Sequence, residues 1–251
     1  MIGIIASTFL EADLIVSYLF NKKDFLIQGK FFCTGSLKKK IKIALSISGV
    51  GKANAAQSTS ILIEKYKPKI IYNIGVAGAY PPSGLKIADI AIAEKEIYGD
   101  EGLFAQAEDR REKTEYRKKK TEKIIDFYTL DRINIPICVI DEIEYYNEFP
   151  MFVPEGLKDI RKGNFVTVST CTGILKKGRE IEKRFNAICE NMEGAAVAHI
   201  GLLSKIPVVE IRGISNIIED RTPRPLKKSD IIKASKSCQK FLLDYLEDVY
   251  D

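Results

Sequence analysis

The sequence predicts an α/β fold in which helices alternate with the strands of a largely buried sheet. Three observations carry this. Short β-rich runs recur along the 251 residues, helical stretches separate them, and the runs are apolar enough to need cover on both faces.

The strand candidates, in order, are IGIIAS (2–7), IKIALSIS (41–48), KIIYNIGVAG (69–78), DIAIAEKEIY (89–98), NFVTVST (164–170) and PVVEIRGIS (207–215). ANAAQSTSILIEKY (53–66) and MEGAAVAHIGLLSK (192–205) read as helices between them. So does the tail, where Ile231, Ala234, Cys238, Phe241, Leu242, Tyr245 and Val249 recur at spacings of three and four. The chain is 45% apolar and has no linker-like stretch between two cores, so residues 1–251 are expected to form one domain.

No run approaches the roughly 18 to 20 apolar residues that span a bilayer. The opening MIGIIASTFLEADLI has no basic region ahead of its apolar run. No membrane partner and a cytoplasmic location are the expectation. Five scattered cysteines and a single histidine support neither a disulfide framework nor a metal site. A net charge of +5 raises nucleic acid as a partner, but the basic residues are not interleaved with aromatics as a stacking platform requires, so nucleic acid is not expected. The densest basic stretch, REKTEYRKKKTEK (111–123), is mixed with glutamates and reads as a solvated helix or an excursion loop. Its alternative role is to attract an anionic small molecule.

Ligands of such sheets sit outside the carboxyl ends of strands, which makes the residues after each strand the ones to read. GVGKANAA (49–56) lacks the serine or threonine of a P-loop and the third glycine of a dinucleotide fingerprint. It reads as a tight strand-to-helix turn with alanines for close packing. In GVAGAY (75–80), Val76, Ala77 and Gly78 leave a nearly bare backbone against which a flat ring can lie.

Among the polar residues, Glu11 can orient and partly deprotonate a water, or can be an ordinary first-turn carboxylate favoured by the helix dipole. Glu193, ahead of Gly194, Ala195 and Ala196, can accept hydrogen bonds from two vicinal hydroxyls, or can be a helix-start charge. Met192 beside it offers an adaptable apolar contact, and His199 reads as structural. Asn216 follows Ser215 at the end of the last strand. Its amide presents one acceptor and two donors in one plane, and its alternative reading is a turn former.

SGVGKANAA (48–56), NIGVAGAY (73–80), EIYGDEGL (96–103), ENMEGAAVAH (190–199) and EIRGISN (210–216) together resemble the nucleoside phosphorylase and nucleosidase superfamily, and within it the futalosine hydrolase family. The resemblance runs from the first strand to Arg221. It implies a three-layer α/β/α sandwich with a central mixed, twisted sheet, nucleoside phosphorylase-like, assembled as a homo-oligomer. It further implies that Glu11 activates water, that Glu193, after Met192, grips the ribose hydroxyls, and that Asn216, with Ser215 before it, acts on the base. Methylthioadenosine nucleosidases carry an aspartate where Asn216 falls. An amide there suits a 6-oxopurine, whose departing form presents N7–H beside O6. The base-stacking loop of those nucleosidases reads STCTG (169–173) here, offering Cys171 or Thr172. Hexameric phosphorylases anchor phosphate with an arginine and a serine where this chain has Asn73 and Val76, so water is the implied nucleophile. Tyr98, Arg212 and Arg221 are candidates for supporting roles.

The implied activity is hydrolysis of a small-molecule nucleoside, futalosine, to hypoxanthine and dehypoxanthinyl futalosine in menaquinone biosynthesis, with no cofactor. The alternatives are a methylthioadenosine/adenosylhomocysteine nucleosidase, a purine nucleoside phosphorylase, and a catalytically silent module that binds a nucleoside or RNA.

Overall fold

A computed structural model describes residues 1–106, 125–221 and 226–250; the charged stretch 111–123 lies outside the described residues. In order, the elements are β1 (Ile2–Ala6), α1 (Asp13–Tyr18), β2 (Phe20–Ile27), β3 (Lys30–Leu37), β4 (Ile41–Ile47), α2 (Lys52–Tyr66), β5 (Ile70–Ala79) and β6 (Ile90–Tyr98). There follow β7 (Gly102–Gln106), β8 (Ile125–Thr129), β9 (Cys138–Ile140), β10 (Ile143–Tyr145), β11 (Glu148–Pro150), β12 (Lys162–Thr167) and α3 (Leu175–Phe185). The chain closes with β13 (Ala187–Asn191), α4 (Gly194–Leu203), β14 (Val208–Ile217) and α5 (Lys228–Tyr250).

Two units of unequal size result, one of Met1–Gly99 with Glu148–Asp251 and one of Asp100–Asn147. The smaller contains two antiparallel ribbons, β7 with β8 and β9 with β10. The larger is built on a ten-stranded mixed sheet in the order β11-β6-β12-β13-β5-β1-β4-β3-β2, with β14 paired to β5 and β6. The expected α/β class and mixed central sheet are therefore present.

Helices cover both faces because both faces are apolar. The side-chain direction of Gly3 in β1 points at Leu62 of α2, 2.7 Å from its Cβ position, and at the registered Ile71 of β5. The next residue, Tyr72, points the other way and lies 6.2 Å, ring to ring, from Tyr245 of α5. Helices α2 and α5 thus form the outer layers of the sandwich. α5 packs tightly on β14 at Gly213, where an added Cβ would stand 2.2 Å from the Ala234 carbonyl oxygen.

Sequence and structure part at several ends. β12 stops at Thr167, level with the end of β6 at Tyr98, so Ser169 and Thr170 leave the sheet. β14 does not end at Ser215; it runs on to Ile217 through a bulge between Ile214 and Asn216. Helix α4 begins at Gly194, leaving Met192 outside it and Glu193 as its N-cap.

β5 is the pivot of the site. β1 pairs with it as far as Ile74, and β13 takes over on that side only at Gly78. Between them, Gly75 to Ala77 lack a strand neighbour on that edge while β14 continues on the other. The backbone there is free to meet side chains instead.

Candidate active site

At the unpaired stretch of β5, the Val76 N–H donates to Glu11 Oε1 at 3.0 Å. The other oxygen of Glu11 turns back on its own loop, accepting from the Thr8 N–H at 3.0 Å and the Thr8 hydroxyl at 2.8 Å. Glu11 therefore ends a single 3-10 turn (Phe9–Glu11) as part of a capping box. It is not on a long helix, so the macrodipole explanation weakens. The side chain is 6% exposed, and burial pushes its carboxyl above the ordinary value against the opposing pull of Arg212 and its hydrogen bonds. Such a group is a stronger base than a solvated glutamate.

Glu193 faces it from the α4 cap. Its Oε1 accepts the Gly51 N–H at 2.9 Å, which gives the glycine turn a second use. Gly49 and Gly51 hold φ of 85° and 95° so that β4 can turn into α2, and the same turn aims an N–H at the carboxylate. Behind the cap, Asn191 Oδ1 accepts from the backbone N–H groups of Glu193 at 2.8 Å and Gly194 at 2.7 Å.

Arg212 lies between the two carboxylates and is fully buried. Gly75 makes room for it: a Cβ there would stand 2.3 Å from Arg212 Nη1 and 2.7 Å from Glu11 Oε1. Arg212 donates from Nε to Glu210 Oε1 at 2.8 Å and holds Nη1 3.8 Å from Glu193 Oε2, an ion pair without a hydrogen bond. A second buried carboxyl, Glu96, accepts from Thr167 Oγ1 at 2.7 Å and from the Asn191 amide. Burial and the neighbouring Glu210 push Glu96 well above the ordinary range. Arg212 opposes burial most directly at Glu210, which it touches, although burial still leaves Glu210 above the ordinary value.

The bulge in β14 shapes the far end. It leaves Ser215 unpaired and brings Asn216 into register with Gly78. The Asn216 amide then lies over the missing side chain of Gly78, with Nδ2 2.8 Å from where a Cβ would be. Ser215 Oγ stands 3.1 Å from Asn216 Oδ1 and 3.2 Å from the Ala77 carbonyl. Asn216 is thus a strand residue fixed in orientation, which removes the turn-former explanation.

A cavity of about 250 Å³ joins these groups. Glu11, Val76, Ala77, Gly78, Thr172, Met192, Glu193, Ser215 and Asn216 all line it. Nine of the residues singled out from the sequence therefore share one space. Cys171 and Arg221 line it as well. Arg212 stands behind it, and Asn73 is buried within β5. His199 packs on Phe149, ring centroids 4.9 Å apart, as a structural histidine would. Sequence reading missed Glu190, a 5% exposed cavity residue in β13. No local pattern announces β13, a five-residue strand that ends on Glu190 and Asn191.

Comparison with known proteins follows the same lines. The Phosphorylase superfamily matches residues 1–249. A 5'-methylthioadenosine/S-adenosylhomocysteine nucleosidase of Maridesulfovibrio salexigens is 24% identical over 249 residues, 99% of each chain. One from Staphylococcus aureus is 27% identical over 219 residues, 86% of each. Among solved structures, that of the Streptococcus pneumoniae nucleosidase with a transition-state inhibitor is similar with a TM-score of 0.75, at 22% identity and 98% coverage of both chains. The Neisseria meningitidis nucleosidase with methylthio-immucillin-A reaches 0.76 at 18% identity, also over 98% of both chains. With a sheet of the same architecture and a family match over nearly its whole length, this chain belongs to the phosphorylase superfamily.

Proposed function

We propose that the chain is a nucleoside hydrolase that cleaves the N-glycosidic bond of a 6-oxopurine nucleoside, with futalosine as the substrate and hypoxanthine and dehypoxanthinyl futalosine as products, a step of menaquinone biosynthesis. The observation that carries the base is the Asn216 amide, held by the β14 bulge above bare Gly78. A departing 6-oxopurine offers N7–H and O6 side by side. Asn216 Oδ1 can accept the first while Nδ2 donates to the second. An adenine presents an amino group where O6 would be, and would set two donors against each other. The choice of futalosine among 6-oxopurine nucleosides rests on the resemblance in the quoted motifs.

In this reading Glu11, with its carboxyl raised by burial, takes a proton from the attacking water. Glu193 accepts from the sugar hydroxyls, and Met192 packs on the sugar. Val76 presents no hydroxyl and Asn73 is buried away from the cavity, which favours water over phosphate as the nucleophile. We propose further that the chain works as a homo-oligomer.

A second reading is favoured by a specific observation: the relatives named above are methylthioadenosine/adenosylhomocysteine nucleosidases. Both readings share Glu11 and Glu193 and differ at the base. Incubation with futalosine, inosine and 5'-methylthioadenosine in phosphate-free buffer, with free base followed by chromatography, separates them. Hypoxanthine released from futalosine is the expected outcome. Adenine from 5'-methylthioadenosine as the main product decides for the second reading, and a strict phosphate requirement decides for a phosphorylase.

A further inference from the structure

Helix α4 is capped without the help of its own N-cap side chain. The first turn of a helix leaves backbone N–H groups with no partner inside it, and the N-cap side chain ordinarily accepts from them. Glu193 forms no such bond. Its carboxylate turns the other way, to the Gly51 N–H and the cavity. Two neighbouring strands supply the cap instead. Asn191 Oδ1 accepts from the N–H groups of Glu193 and Gly194, and Thr167 Oγ1 accepts from that of Ala195 at 2.7 Å. Thr167 of β12 is in register with Asn191 of β13, which puts both side chains on one face, at the start of α4.

Both of these capping residues are held by one side chain. The Asn191 amide donates to Glu96 Oε1, and the Thr167 hydroxyl donates to Glu96 Oε2 at 2.7 Å. Glu96 is fully buried, so solvent does not compete for these bonds. With Oδ1 committed to the helix, the Nδ2 group of Asn191 needs an acceptor, and Glu96 supplies it. Removing that acceptor leaves a buried donor unpaired and the amide free to turn away from the helix. Gly194 allows the close approach, since a Cβ there would stand 2.1 Å from Glu96 Oε1.

We propose that Glu96 is a positioning residue for Glu193: through Asn191 and Thr167 it caps α4, and this leaves the N-cap carboxylate free to grip the sugar. The proposal rests on the role given to Glu193 above, which both readings of the base share. Glu96 acts through the helix end and not on the substrate, because the cavity is lined by Asn191 and Glu193 in front of it. Without the substitute cap, the Glu193 carboxylate is itself a near acceptor for the bare N–H groups of its own helix. Turned back to them, it no longer faces the sugar hydroxyls.

The test is steady-state kinetics with futalosine, inosine and 5'-methylthioadenosine, each beside its 2'-deoxy analogue, on the wild-type chain, Glu96→Ala and Glu96→Gln. The ratio of kcat/KM for the ribosyl over the 2'-deoxyribosyl substrate reads the grip of Glu193, because a loss of folded protein lowers both alike. The wild type should favour the ribosyl form at least about tenfold, on the scale of a hydrogen bond to a charged group. Glu96→Ala should lower that ratio at least about fivefold as the grip is lost. Glu96→Gln, which keeps an acceptor for Asn191, should hold the ratio within about twofold of wild type. A folded Glu96→Ala protein with the wild-type ratio overturns the proposal, even where it is slower or less stable. So does a Glu96→Gln protein that loses the ratio as Glu96→Ala does. Should Glu96→Ala fail to fold, Glu96→Met fills the space without a comparable acceptor and gives the same comparison. A wild-type ratio near one overturns the sugar role of Glu193 and the proposal with it, and release of no base from any ribosyl substrate overturns the nucleosidase reading itself.

Discussion

At the scale of single residues, the site is a set of buried carboxyl groups, of which Glu11 and Glu96 are raised above the ordinary value by burial. Glu11 is raised by burial yet held by three donors and faced by Arg212. Its replacement by Gln should lower turnover at least about a hundredfold with the fold intact, on the scale of a positioned acid or base. The same raised carboxyl sets the acid limb of the wild-type profile. Activity should fall as pH drops through a value above the usual glutamate range, and the residual activity of Glu11→Gln should lack that limb. Near-normal turnover in a folded Glu11→Gln protein removes the residue from the mechanism. Glu96 gives a stability test with a defined sign. Its folded carboxyl is raised well above the ordinary 4.5, so its protonated form favours the folded state at low pH. That contribution is lost as pH rises from the ordinary value upward. Glu96→Gln mimics the protonated form and removes the titration. Its melting temperature relative to wild type should therefore climb with increasing pH, and a pH-independent difference counts against a protonated Glu96.

Elements decide where those residues point. The β14 bulge puts Asn216 over Gly78, and the prediction that belongs here is Gly78→Ala. Its Cβ would stand 2.8 Å from Asn216 Nδ2, the end of a side chain that can swing aside. Folding should survive, while hydrolysis of the 6-oxopurine nucleoside falls by about ten- to a hundredfold as base contacts are lost. An unaffected kcat/KM would mean that Asn216 does not read the base. Gly213 makes the opposite case, because its Cβ would meet backbone at Ala234 that cannot swing away. Gly213→Ala should cost about 1–3 kcal/mol by overpacking α5 against β14, seen as a lower denaturant midpoint at unchanged slope. The strands with dense apolar runs were legible in the sequence, because burial on both faces leaves a compositional mark. β2 and β3 were not. β2 is exposed along nearly all its length, and the turn joining it to β3 places Gln28 and Gly29 at φ of 49° and 77°, a conformation that Gln does not advertise.

Whole-molecule organisation turns a list of strand ends into a site. Residues near positions 11, 76, 193 and 216 meet only because β5 lies between β1, β13 and β14. Val50 lines the cavity and Phe9 lies in sequence between the lining residues Thr8 and Leu10; they are 50% and 54% exposed. Large apolar side chains so placed suit burial against another copy of the chain. Light scattering at micromolar concentration should give a dimer or a larger assembly, and a monomer alone would count against the homo-oligomer.

By itself, the sequence determined the α/β class, the apolar core strands other than β13 and, together with the resemblance in its motifs, nine residues that line the cavity, each close to a strand end or a glycine turn. The tertiary structure alone decided how those groups are used. It showed the capping box that fixes Glu11, the glycine N–H that holds Glu193, the burial beside Glu210 that raises the Glu96 carboxyl, and the register that sets Glu190 and Asn216 on either side of Gly78. Each of these depends on the register and burial of strands far apart in sequence, and neither quantity is written in any local stretch of residues.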